Sequence, residues 1–130
     1  MSRIFVVFCG ILGSLAVALG AFGAHGLRSR LASLPDGAQR LEWWNTAAQY
    51  NLTHALALGL VAWLAQRDAG LASTIAGACF VAGVLLFSGS LYAMTLSGET
   101  KLGMITPLGG MLLLAGWLAV LVAGLRLGAG

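Results

Sequence analysis

The residues able to do chemistry are few: His25 and His54, Tyr50 and Tyr92, Ser88 and Ser90, Cys9 and Cys79. His25 stands in Gly20–Leu27, "GAFGAHGL", at the end of an apolar run with no charge after Arg3. His54 closes the stretch Thr46–His54, "TAAQYNLTH". A histidine near a serine is half of a nucleophilic centre, but no carboxylate stands inside the apolar segments to orient the ring. A proton path needs further ionisable groups at the same depth, and no Asp, Glu, Lys or Arg falls there. Haem ligation needs two histidines facing each other across one ring, whereas His25 and His54 differ in depth by several helical turns. Asp, Glu and His are too few for a conventional metal site, and the cysteines match no metal or redox spacing. No catalytic residue, metal ligand or cofactor is therefore assigned, and enzyme activity is not expected. For His25 and His54 the reading is hydrogen bonding between helices. Cys9 and Cys79 read as small packing hydrophobes; their similar depths on helices running the same way leave a disulfide open.

Composition says what solvent these residues meet. The chain has 130 residues, 59% of them hydrophobic and 8% charged. A soluble domain carries roughly a quarter of its residues as charges, so this chain cannot cover itself for water, and lipid is its partner. A net charge of +3, thinly scattered, excludes a nucleic-acid surface, which needs clustered Lys and Arg.

Crossing a hydrocarbon core of about 30 Å takes about 20 helical residues. Four segments qualify: Ile4–Ala24, Thr46–Ala65, Leu71–Leu96 and Ile105–Leu125. The expected fold is all-α: one domain over residues 1–130, an integral membrane four-helix bundle, with a short interfacial helix between the first two spans. The first span exceeds the roughly 7–15 apolar residues of a signal peptide and reads as a retained helix. Leu27, Leu31 and Leu34 repeat at helical spacing beside Arg28 and Arg30, the pattern of a helix in the headgroup region. Gly26 suits the residue just past the end of span one. Asp36 and Gln39 form a capping pair after the Pro35-Asp36-Gly37 break. Trp43 and Trp44 are placed as interfacial anchors. Gln66–Gly70 and Ser97–Lys101 read as tight polar turns. Arg3, Arg67 and Arg126 fall on one side and Arg28, Arg30, Arg40 and Lys101 on the other. That difference leans slightly towards cytoplasmic first and third connections.

Thr46, Gln49, Tyr50, Thr53 and His54 fall within about 140° of one face of span two. Span three answers with Ser88, Tyr92 and Thr95. A polar stripe in a membrane helix looks into the bundle or a wet cavity. The candidate ligand-binding set is therefore His25, Gln49, Tyr50, His54, Ser88, Tyr92 and Thr106, gathered in the half of the bundle away from Arg3 and Arg67. Close helix packing falls to small residues, since lipid gives helices no hydrophobic reason to associate. The candidates are Gly10, Ser14, Ala18, Gly20 and Ala24 in span one and Gly109 and Gly110 in span four. Small residues on several faces of span one suit contacts inside and outside one chain, hence a homo-oligomer or a seat in a larger membrane complex.

Four stretches, "GAFGAHGL" (20–27), "WNTAAQYNLTHALAL" (44–58), "LFSGSLY" (86–92) and "LGMITPLGG" (102–110), resemble in order and spacing the small membrane proteins of domain-of-unknown-function family 423. That family includes bacterial inner-membrane proteins and the animal transmembrane protein 256. The resemblance covers nearly the whole chain. It implies a four-span protein, in bacteria of the inner (plasma) membrane, with no established catalytic residue or substrate. The reading is a structural or accessory membrane subunit. The alternative is a carrier or receptor for a small amphipathic ligand or lipid held in the polar half-bundle.

Overall fold

The computed structural model describes residues 1–67 and 70–129. Asp68 and Ala69, in the polar turn expected between spans two and three, lie outside the described residues, as does Gly130. Helix α1 (Ser2–Phe22) runs through a π-helical turn, Gly23–Leu27, into the short α2 (Arg28–Leu31). Then follow α3 (Gly37–Gln66), α4 (Leu71–Ser97), a 3-10 turn (Thr100–Met104) and α5 (Thr106–Arg126). The described residues are otherwise turn and loop, with no strand.

Three expectations about the first connection change. The helix does not stop at Gly26: it continues unbroken to Leu31, because Leu27 and Leu31 bury themselves against Trp44 and hold the extra turns in place. Gly26 accordingly keeps no end-of-helix conformation; positive φ occurs instead at Gly70, Gly98 and Gly128. The segment expected to lie as a separate interfacial helix is thus the tail of the first long helix. The Asp36–Gln39 cap also does not form. Asp36 occupies the cap position without a side-chain bond to the backbone and instead faces Arg40 at 3.7 Å. Helix α3 starts at Gly37, directly after the expected Pro35-Asp36-Gly37 break, and carries Trp43 and Trp44 within it.

Among the described residues, three helical runs are long and apolar enough to cross a membrane: Ser2–Leu31, Leu71–Ser97 and Thr100–Arg126. Helix α3 is equally long, but Gln49, Asn51 and His54 lower its hydropathy. Helix α1 packs on α3, α3 on α4, and α4 on α5. No comparable seam joins α1 to α5 among the described residues, so the main contacts run in series from α1 through α3 and α4 to α5. Small residues set the spacing. Gly13 and Gly20 bring α1 within contact of Ala55 and Ala48 of α3, and Gly77 of α4 lies against the Phe5 ring. The core towards the Arg3 end is apolar, built on Phe5, Leu12, Leu58, Val61, Phe80 and Leu113. Outward faces carry exposed Val17, Leu56, Leu85, Met111 and Leu125. Apolar cover on that scale would drive aggregation in water and is the ordinary surface of a protein solvated by lipid.

Candidate functional site: a polar seam in one half of the helices

Among the described residues, every buried polar side chain but Ser73 sits in the half away from Arg3, and most are engaged in hydrogen bonds between helices. Ser88 of α4, 1% exposed, donates to the Ala47 carbonyl of α3 at 2.8 Å. The Ser90 and Thr106 hydroxyls pair between α4 and α5. The Asn51 amide donates to the Tyr92 hydroxyl at 3.1 Å, joining α3 to α4. The Trp44 indole N–H donates to the Leu19 carbonyl at 2.7 Å, joining α3 to α1.

His54 links α3 to α5, and its partners fix its state. One ring nitrogen, Nδ1, lies 2.7 Å from the Tyr50 carbonyl, which can only accept. The other, Nε2, lies 3.1 Å from the Trp117 indole nitrogen, which can only donate. The ring is therefore neutral with its proton on Nδ1, and both nitrogens are engaged. Phe80 and Trp117 pack on it, and Tyr50 stacks beside it and on Phe87. A ring so held is a brace between helices and has no free nitrogen for a metal or a substrate.

The seam closes at the membrane surface around Arg40. Its Nε donates to the Thr95 carbonyl at 2.8 Å and its Nη2 to the Leu96 carbonyl at 3.2 Å. These are carbonyls of the last turn of α4, which lack partners within the helix and favour a cation. The Thr95 hydroxyl returns a bond to the Arg40 carbonyl at 3.0 Å. An arginine read from sequence as a topology marker is thus the clasp between α3 and the end of α4.

The seven candidate binding residues do not share one pocket. Tyr92 lies on the α1 side, edge-on to Trp44 at 4.7 Å, while Tyr50 and His54 lie on the α5 side. Ser88 and Thr106 are engaged as described, and His25 is exposed on the π-helical turn, apart from the others. A smaller set remains together: Gln49, Tyr50, Thr53 and His54 line a hollow of about 450 Å³ open to the outside. Of the packing candidates, Gly109 is buried against the Phe87 backbone, Gly110 touches its ring and Gly20 meets Ala48. Gly10 has nothing within 4 Å, and Ser14, Ala18 and Ala24 share its exposure. Sequence reasoning missed Asn51, Trp117 and the roles of Trp44 and Arg40. Asn51, four residues from Ala47 and seven from Trp44, shares their buried face. That spacing was the available signal.

The profile of the family described as "Protein of unknown function (DUF423)" matches residues 19–110, the stretch that holds every member of the seam except Trp117. The chain belongs to the DUF423 family. A relative in Bacillus subtilis (strain 168), the UPF0382 membrane protein YwdK, is 43% identical over 125 residues, covering 95% of this chain and 98% of the relative. The UPF0382 inner membrane protein YgdD of Escherichia coli (strain K12) is 38% identical over 126 residues, covering 97% and 92%. The UPF0382 membrane protein SAB0533 of Staphylococcus aureus is 35% identical, covering 93% and 94%. No solved structure matches the chain. With these relatives and its apolar helices, this DUF423 member is a multi-pass protein of the inner (plasma) membrane, seated in the lipid bilayer.

Proposed function

We propose that this protein is a structural or accessory membrane subunit, four spans deep, that associates through the outer face of α1. One observation carries this reading: Gly10, Ser14 and Ala18, at four-residue spacing, face outward, and nothing lies within 4 Å of the space a side chain at Gly10 would fill. Small residues at that spacing let a second helix approach closely in lipid. The reading assigns no catalysis. The Ser88 and Ser90 hydroxyls are both engaged by backbone carbonyls, and His54 is held at both nitrogens. Helix α3 serves as the fourth span, because its polar groups at Asn51 and His54 turn inward.

The second reading, a carrier or receptor for a small amphipathic ligand, rests on the hollow at Gln49 and Tyr50. There the two backbone carbonyls are taken by Thr53 and His54, while the Gln49 and Tyr50 side chains face outward. Native mass spectrometry after gentle detergent extraction separates the two. The expected result is a ligand-free mass at a multiple of one chain, or with another protein attached, that falls to a single chain in Gly10→Leu without loss of thermal stability. A single-chain mass carrying a reproducible small molecule, lost in Gln49→Leu, would replace the first reading with the second. Gly20→Leu is unsuitable as the test, since Gly20 packs inside the chain.

The orientation follows the charge difference, with Arg28, Arg30, Arg40 and Lys101 on the cytoplasmic side. Both termini then lie outside. Alkaline phosphatase fused after the C-terminus is expected to be active, and a fluorescent protein there dark; the reverse pattern would invert the protein.

A further inference from the structure

We propose that the hollow between α2 and the start of α3 seats an anionic phospholipid, with Arg28 holding the headgroup phosphate. The hollow has a volume of about 320 Å³ and is lined by Leu31, Leu34, Pro35 and Leu41 together with Arg28. Its level in the bilayer follows from α1. Counting from Arg3, about 20 residues at about 1.5 Å each cross a hydrocarbon core of about 30 Å and reach Gly23. Arg28 stands about 7.5 Å further along the same helical run, among the headgroups. Leucine and proline walls at that level suit the glycerol and upper acyl carbons of a lipid and give nothing to a free phosphate ion.

Charge selects the headgroup. The charged groups from Arg28 to the first turns of α3 are Arg28, Arg30, Asp36, Arg40 and Glu42, three cations against two carboxylates. Asp36 faces Arg40 at 3.7 Å, the one ion pair among the described residues. Arg40 gives its remaining donors to the end of α4. Arg28 is exposed and pairs with no carboxylate among the described residues. Its planar fork matches two phosphate oxygens. Neither Asp36 nor Glu42 lines the hollow, and Arg28 is the one charged residue among its described lining, so the site offers a cation and no carboxylate and favours an anionic lipid. The inference stands on α1 and this turn alone and does not depend on the accessory reading.

The test uses the full chain reconstituted in vesicles of equal parts phosphatidylglycerol and phosphatidylcholine, extracted in dodecyl maltoside, with co-purifying lipid quantified. Phosphatidylglycerol is expected to be enriched. Arg28→Gln should lower that enrichment about fivefold, the factor one cation contributes at an anionic surface. Arg30→Gln, about 200° round the helix from Arg28 and outside the hollow, should lower it clearly less. Ala38→Trp fills the hollow with the charge intact and should also abolish enrichment. The proposal is overturned by equal retention of the two lipids, by equal losses in Arg28→Gln and Arg30→Gln, or by full enrichment in Ala38→Trp. Displacement of the lipid by inorganic phosphate would also overturn it, by showing that the site takes the free ion.

Discussion

Trp44→Ala is expected to destabilise the protein by about 3–5 kcal/mol, the range for truncating a buried aromatic side chain. The indole is 2% exposed and occupies the junction of three helices. Phe22 of α1 meets it edge-on at 5.7 Å, and Tyr92 of α4 at 4.7 Å. Gly23 is pressed so closely on the indole that a Cβ there would stand 2.8 Å from its nitrogen. Leu27 and Leu31, the residues that carry the first helix beyond the membrane, pack on the same ring. Its removal leaves α1 with neither its hydrogen bond at Leu19 nor the surface its tail lies on. Trp44→Phe separates the two contributions: it keeps most of the packing and loses the donor, which in membranes is worth about 0.6 kcal/mol on average. Unfolding by dodecyl sulfate in mixed micelles, followed by circular dichroism, measures both variants. If alanine costs no more than phenylalanine, the ring is not the keystone of this junction.

That junction also marks where the sequence stops being legible. Helices were visible because lipid demands long apolar runs, and the gathering of polar residues in one half was visible from helical periodicity. Boundaries were not. The tail from Gly23 to Leu31 is held by a residue far along the chain, Trp44, and local turn signals such as Gly26 were overridden by that contact. The candidate site was legible as a list of residues and not as a place. Counting inward from the membrane boundary at about 1.5 Å per residue puts Tyr50 and Tyr92 at like depth, yet depth on two helices says nothing about which side of each faces the other. Helix rotation is decided by close approaches, such as Gly20 on Ala48 and Gly13 on Ala55. Those send Asn51 and Trp44 towards the α1–α4 side and leave Gln49 and Tyr50 outside. The Trp117–His54 bond was hidden for a similar reason: a tryptophan in an apolar helix announces its size and not its partner.

Gly109→Ala is expected to cost about 1–3 kcal/mol, as overpacking does where nothing can move aside. The obstacle is the Phe87 main chain: a Cβ at Gly109 would overlap the Phe87 nitrogen and stand 2.8 Å from its Cα. A flexible side chain could swing away, but a helix backbone can only retreat as a whole. Two further close contacts lie along the same pair of helices, Gly83 against the Leu113 side chain and Gly116 against the Phe80 ring. Parting the helices at Gly109 therefore strains the full length of the seam. It also draws Thr106 from Ser90 and Trp117 from His54, so the cross-links that hold α5 weaken together. The neighbouring position supplies the control. A Cβ at Gly110 would lie 3.8 Å from the Phe87 ring, an ordinary contact, so Gly110→Ala is expected to stay within about 0.5 kcal/mol of the parent. Both substitutions make the same chemical change in the first turns of one helix, and helix propensity favours alanine over glycine at each. A lower thermal midpoint in detergent for Gly109→Ala alone would trace the loss to helix approach. Equal stability of the two variants would mean that α4 and α5 are not held at backbone contact.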